Sequence, residues 1–375
     1  MSHTGDMEMR KKSIIIILFL LSALRGAQTE QDPNLFRAIS IPHPLTVALR
    51  DASVLQEIQL RPEQMESVTA LIDQIDLPLW RLRDLPPEQR FQKGTILVQQ
   101  LRENLARILT RRQLKRLNQI VWQLQGITSF LRPDMTKRLQ LSAHQLSQIE
   151  NAFTDLTNQL KQLQQTPNLT EQSRNSSIRE IQAQTQKDIR VILNTKQRKI
   201  LPQLLGPPCD LSHVRLIACK APPLQPVTTW INTDNPQTLA QHHGKVIVVH
   251  FYAFGCINCK HTLPYYNQWV KDFPADQFQI IGIHRPETKK ERNLEKVKAR
   301  ASEYHMEYPI AVDNQSLNWN TWANNIWPSM YLVDKNGFVR YWWYGELNYQ
   351  GAPSEKWMRD KINELLKEDV SVSSP

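Results

Sequence analysis

Hydrophobic positions along this chain change their period once, near residue 205. Between 60 and 205 they recur every three or four residues. Val68, Leu71, Ile72 and Ile75 fall on one helical face, as do Leu117, Ile120, Val121 and Leu124. Leu146, Ile149, Phe153, Leu156, Leu160 and Leu163 alternate three- and four-residue steps, a heptad-like seam. One helix cannot bury such a stripe alone, so the pattern predicts several packed helices. Pro78, Pro86, Pro87, Pro133 and Pro167 interrupt it and predict the connections. Beyond 222 the period shortens. The spans 245–252, 278–284 and 308–312 read as strands, 330–334 and 338–343 as a hairpin about the Asn336-Gly337 turn, and 260–273, 288–305 and 354–367 as helices. The expected fold class is an α-helical bundle followed by an α/β domain.

Within the helical region a short motif recurs where helices should start. It reads Leu60 to Gln64, Leu109 to Gln113, Leu141 to Gln145 and Leu193 to Gln197. Its second residue is Thr, Ser or Asn in three of the four copies (Thr110, Ser142 and Asn194). Such residues accept from an orphan backbone N–H at a helix start, and the glutamine three further on can return the bond. The first and third copies are 81 residues apart and the second and fourth 84, so two similar long-helix units in tandem are expected. Leu109-Thr-Arg-Arg-Gln113 resembles the Leu-Thr-x-x-Gln signature of the small all-α periplasmic proteins that include CpxP and Spy. Ordinary helix-start chemistry is the simpler account of the motif.

Composition marks the same boundary. Of 11 glycines, only Gly94 and Gly126 lie between 27 and 205, which suits long helices. All nine tyrosines, eight of ten tryptophans and all four cysteines lie beyond 205. The net charge of +10 is scattered. Its densest cluster, Arg107, Arg111, Arg112, Lys115 and Arg116, reads as a solvated helix face, so nucleic acid is not expected as a partner.

At the N-terminus Arg10, Lys11 and Lys12 precede a twelve-residue apolar run, 13–24, which suits a signal peptide and is short for a membrane span. Export is therefore expected, to the periplasm or another extracytoplasmic space, with membrane attachment only if the segment stays uncleaved. The expected organisation is 1–27 signal peptide or anchor, 28–59 lead-in, 60–205 helical bundle, 206–221 connector, 222–369 α/β domain and 370–375 tail.

Cys256 and Cys259 stand between a buried strand and a helix. Two intervening residues place the thiols one turn apart at a helix N-terminus, where the earlier thiolate is stabilised and the later thiol is shielded. Cys256 is thus the expected nucleophile and Cys259 the resolving thiol. A zinc site would need two more ligands; His261 is near, but no second cysteine pair follows. Cys209 and Cys219 are a second pair in the connector. An exported chain would join them in a structural disulfide worth about 2–3 kcal/mol. A relay with Cys256 or a metal site with His213 are the other readings.

These residues bring a family into view. Residues 222–369 resemble the exported TlpA/ResA-like thioredoxins, and most of all the thioredoxin-like domains of DipZ-type and NHL-repeat proteins. The resemblance rests on Gly255-Cys-Ile-Asn-Cys-Lys-His-Thr-Leu-Pro264, Gly282-Ile-His-Arg-Pro-Glu287, Tyr308-Pro-Ile-Ala-Val-Asp313, Trp327-Pro328 and Tyr344-Gly-Glu346. It implies a cis proline at Pro328 that, with Trp327, presents backbone to an extended substrate. It also implies a site glutamate at Glu346, either a proton relay or a solvated hairpin residue. Two positions depart from the family. His250 stands where many members carry an acid, and is either an acceptor for the Cys259 proton or a buried strand histidine. Gly255 replaces a common tryptophan and removes an aromatic substrate platform. The implied activity is thiol–disulfide oxidoreduction on protein thiols and disulfides, with an external thiol as electron donor and no metal or organic cofactor. The helical region would bind unfolded chains, form a homodimer or position the redox domain. The contrasting reading is a helical chaperone or scaffold whose thioredoxin-like domain does no catalysis.

Overall fold

The computed structural model describes residues 40–166 and 169–370. The apolar run at 13–24, the lead-in up to residue 39, Pro167 and the last five residues lie outside them. The chain divides into two compact units after Leu216.

Among its described residues the N-terminal unit holds nine α-helices: α1 (Pro44–Arg50), α2 (Ala52–Glu57), α3 (Pro62–Trp80), α4 (Pro87–Ile108), α5 (Arg111–Gln125), α6 (Pro133–Leu139), α7 (Ala143–Gln165), α8 (Glu171–Ile192) and α9 (Thr195–Leu205). The expected lead-in is partly wrong, since α1 and α2 fall inside it. Every residue of α1 from Pro44 to Leu49 is buried, so it has no polar face and no amphipathic period to detect. Pro78 does not mark a connection either. It lies in the last turn of α3, where the Arg81 N–H still reaches the Leu77 carbonyl at 3.0 Å. Pro87 and Pro133 do open helices, at positions where a missing N–H costs nothing.

The recurring glutamines have a common geometry. Gln64 and Gln113 exchange side-chain amide hydrogen bonds at 3.1 and 2.9 Å. Gln145 and Gln197 do the same at 2.8 and 3.0 Å. Each Oε1 also accepts the backbone N–H of its own helix cap, at Arg61, Thr110, Ser142 and Asn194. Each Nε2 donates to a backbone carbonyl of another turn, Ile108, Gln59, Ile192 and Leu139 in chain order of the glutamines. The amide is therefore fully used in every copy, buried at Gln64, Gln113 and Gln197 and half-buried at Gln145, and the α3–α5 start pair recurs as the α7–α9 pair. The seam residues Ile149, Phe153, Leu156 and Leu160 lie in one core with Met135 and Leu139 of α6 and with Ile178 and Ile189 of α8.

The C-terminal unit begins at Ile217, five residues before the expected start. Its strands are β1 (Cys219–Lys220), β2 (Trp230–Ile231), β3 (Val246–Tyr252), β4 (Phe278–His284), β5 (Ile310–Val312), β6 (Ser329–Val333) and β7 (Phe338–Tyr344). They form one sheet in the order β1-β7-β6-β3-β4-β5-β2. The β3–β4 and β4–β5 pairs are parallel, and the others antiparallel. Four helices accompany the sheet: α10 (Ile257–Asp272), α11 (Leu294–Glu303), α12 (Leu317–Thr321) and α13 (Ser354–Leu366). The two-residue edge strands β1 and β2 are too short to show an alternation. Central β3 is buried along its whole length, as its unbroken apolar run requires. Val246, Val248 and Tyr252 face a core with Leu263, Tyr266 and Trp269 of α10 and Met358, Ile362 and Leu365 of α13. Phe251 faces the other way, with ring centroids about 6 Å from Trp319, Trp322 and Tyr331. Both dithiol cysteines follow the carboxyl end of β3. Among the described residues no helix is long and apolar enough to cross a membrane.

Candidate active site

Cys256 is the N-cap of α10, and its Sγ accepts the backbone N–H of Cys259 at 3.4 Å. The two sulfurs differ sharply in access. Cys256 is half-buried, whereas Cys259 is 1% exposed. Their chemistry follows. A hydrogen bond from the Cys259 thiol does most to lower the Cys256 pKa, to about 7, and the backbone N–H groups of Cys259 and Asn258 add to it. Partial burial and the Glu287 carboxylate oppose this. Burial drives Cys259 the other way, far upward, and its bond to Cys256 and the charge there reinforce the shift. One sulfur is thus poised as an accessible thiolate and the other as a shielded thiol. Tyr252 and Tyr266, in one core with Cys259, also have their hydroxyl pKa raised, by burial and then by the charge of Cys259.

The loop before Cys256 is held by a residue that sequence reasoning missed. Glu291 is buried, and its Oε1 accepts the Gly255 N–H at 2.9 Å. Its Oε2 accepts the N–H groups of Glu287 at 2.6 Å and Thr288 at 3.0 Å. One carboxylate therefore joins the loop after β4 to the residue preceding the nucleophile. A Cβ at position 255 would lie 2.2 Å from Oε1, so any larger residue there would have to move the carboxylate. Glu291 could not have been singled out in Lys289-Lys-Glu-Arg292, which reads as a solvated charge run.

The Trp327–Pro328 peptide bond is cis. Pro328 directly precedes β6, whose Ser329 pairs with Phe251 near the end of β3, and its carbonyl accepts the Gly345 N–H at 2.8 Å. Trp327 is half-buried and lies 4.3 Å from Trp319 between ring centroids. The Arg285 guanidinium stands over both indoles, 4.7 Å from Trp327 and 4.9 Å from Trp319, and Arg285 Nε donates to Ser316 Oγ at 3.1 Å. Arg285 was not foreseen as a support of this wall. Ile257 and Ile326, each next to one of these key residues, are 58% and 41% exposed.

Other expected residues are placed less favourably for chemistry. His250 is fully buried, with Tyr266, Tyr252 and Tyr308 at ring distances of 4.4, 5.3 and 5.3 Å. Among the described residues neither ring nitrogen has a hydrogen-bond partner, and burial lowers its pKa to about 3. A base that weak holds a thiol proton poorly, and this favours the packing reading. Gly282, its partner across β4, leaves the space: a Cβ there would lie 3.1 Å from His250 Nε2. A second buried imidazole, His284, stands one ladder step nearer the loop and stacks on Phe254 at 5.6 Å. Glu346 Oε2 lies 3.0 Å from Nδ1 of His261, near the start of α10. Cys209 and Cys219 are both buried, one on each side of the division between the units. Among the described residues no group of three or more His, Cys, Asp or Glu side chains could hold a metal ion.

A dithiol of unequal sulfurs between a buried strand and a helix, in a unit with a cis proline directly before β6, makes the C-terminal unit a thioredoxin-like domain. Residues 218–342 match the AhpC/TSA family. Over 170 residues the chain is 33% identical to protein DipZ of Mycobacterium tuberculosis, an overlap covering 44% of this chain and 24% of that protein. It is 27% identical over 148 residues to the thiol-disulfide oxidoreductase YkuV of Bacillus subtilis, covering 39% of this chain and 94% of YkuV. Among solved structures, the thioredoxin-like superfamily protein SPOA0173 is 28% identical, with a TM-score of 0.35, covering 40% of this chain and 97% of its own. The chain spans about a quarter of the length of the curated DipZ proteins it matches.

Proposed function

We propose that this chain is an exported thiol–disulfide oxidoreductase that reduces or exchanges disulfides in protein substrates. The Cys256 thiolate attacks one sulfur of a substrate disulfide. The substrate S–S bond breaks, a mixed disulfide forms, and the departing sulfur takes up a proton. Cys259 then loses its proton, attacks Cys256 Sγ and releases the second substrate thiol. Two electrons have passed to the substrate, and the Cys256–Cys259 disulfide awaits reduction by an external thiol. Trp327, Pro328 and the exposed Ile257 and Ile326 offer the surface on which an extended substrate segment lies; Gly255 shapes its edge.

The observation that carries this reading is the inequality of the two sulfurs, one accessible with a pKa of about 7 and one buried with a pKa driven upward. Export rests on the basic residues and apolar run at the N-terminus. The test is insulin reduction by dithiothreitol, using full-length chain recovered from the extracytoplasmic fraction. The parent should accelerate the reaction and Cys256→Ser should not. Equal rates would favour a chaperone or scaffold, and absence from that fraction would remove export from the reading.

Cys209 and Cys219 complete the proposal as a structural disulfide fastening the connector. In a Cys256→Ser, Cys259→Ala variant purified without reductant and then denatured, thiol titration should find no reactive sulfur. Two titratable thiols would reject the pairing.

A further inference from the structure

The redox chemistry leaves a cavity in the N-terminal unit unused. It has a volume of about 290 Å³, and its lining includes His43, Arg102, Trp122, Arg132, Asp134 and Arg138. Three guanidinium groups thus meet one carboxylate. Asp134 is already engaged, accepting from the Trp122 indole N–H at 3.1 Å. Arg102 donates to Asn118 Oδ1 at 2.5 Å, and Arg138 lies 5.5 Å from the Trp122 ring. Among the described residues no carboxylate comes within 4 Å of the Arg102, Arg132 or Arg138 guanidinium.

The cations also stand in a poorly solvated place. Burial depresses the pKa of both Arg102 and Arg132, Asp134 offsets part of this, and Arg102 depresses Arg132 further. Desolvated charge without a partner is costly, and an anion entering the cavity would relieve it. His43 adds a directed donor. It is 3% exposed, and its Nδ1 accepts the Leu45 N–H at 3.1 Å. Burial and then Arg132 and Arg102 hold its pKa well below the usual value, so the ring is neutral and its proton is on Nε2. The rest of the lining mixes apolar Phe91, Val98 and Pro133 with polar Thr95, Gln99 and Gln125.

We propose that this cavity binds a small oxyanion carried on an apolar or aromatic body, the oxyanion held by Arg102 and Arg132 and the body lying against Trp122 and Phe91. Planar guanidinium forks suit a carboxylate or phosphate oxygen pair, and the aromatic wall selects what is attached to it.

The test is calorimetric titration of the full chain with benzoate, phenyl phosphate, benzamide and inorganic phosphate, repeated on Arg102→Gln and Arg132→Gln. At least one of the two aromatic anions should bind, and which of them binds decides between carboxylate and phosphate. Benzamide, which keeps the ring and loses the charge, should not bind. Inorganic phosphate should bind at least about tenfold more weakly than the preferred aromatic anion, and each glutamine variant should weaken that anion on the order of tenfold or more. The proposal is overturned if neither aromatic anion binds, if benzamide or inorganic phosphate binds as tightly as the preferred aromatic anion, or if the variants bind as the parent does. The four-probe comparison on the parent chain decides the matter alone should a variant fail to fold.

Discussion

Cys259→Ala should convert turnover into capture. Cys256 remains accessible in this variant, so it still attacks a substrate disulfide, but no internal thiol follows to release it. Intramolecular partners in well-oriented reactions reach effective concentrations of about 10⁵ M, which millimolar external thiol cannot replace. Insulin reduction should fall to the dithiothreitol background while a one-to-one mixed disulfide accumulates, visible by non-reducing electrophoresis and intact mass. Cys256→Ser should give neither turnover nor adduct. The rate of capture should carry the titration of Cys256. A depressed thiol pKa means that the reactive anion is present above the folded value and lost below it. Loss of the Cys259 S–H donor in this variant removes the largest stabilising bond, so its midpoint should lie above about 7. Alkylation of Cys256 in the parent should show the midpoint near 7, below the ordinary thiol value of about 8.5. A parent midpoint at or above that ordinary value, or capture by Cys256→Ser, would sink the assignment of Cys256 as nucleophile.

Much of this centre could be read from the chain because its parts are adjacent in sequence. A buried strand, two cysteines three positions apart and a helix lie within 28 residues, from Lys245 to Asp272, and each imposes its own pattern. The glutamine motif was legible for the same reason, since cap and return bond span one turn. What it could not reveal is that Gln64 meets Gln113, and Gln145 meets Gln197, through amides brought together by tertiary packing. The short helices α1 and α2 escaped detection because periodicity needs both length and a polar face. His250 and Glu346 were visible as residue types at suggestive positions, but their roles depend on surroundings: three tyrosines in one case and His261 in the other. Glu291 is the clearest omission. It is 35 positions from Cys256 in sequence, its neighbours are all charged, and its single distinguishing property, burial against Gly255, exists only in the fold.

That contact carries the second large effect. Both oxygens of Glu291 accept from backbone N–H groups, Oε1 from Gly255 and Oε2 from Glu287 and Thr288. Glu291→Gln must turn an NH₂ group toward one of those donors, leaving a loop N–H without its acceptor, and should lower stability by about 1 kcal/mol or more in denaturant unfolding. Gly255→Ala acts on the same contact from the other side. Its Cβ would meet Oε1 at 2.2 Å and must displace the carboxylate, at a similar loss. Because each change removes what the other depends on, Gly255→Ala with Glu291→Ala should cost clearly less than the sum of the two single changes. A purely structural role would end there. If the carboxylate also positions the N-cap sulfur, Gly255→Ala alone should move the Cys256 thiol pKa upward from about 7, as the loop carries the sulfur away from the donors of Cys259 and Asn258. Removing Glu291 as well should bring it back. Additive losses would show that the two residues do not act through one contact. An unchanged Cys256 titration in Gly255→Ala would confine Glu291 to holding the loop, with no influence on the nucleophile.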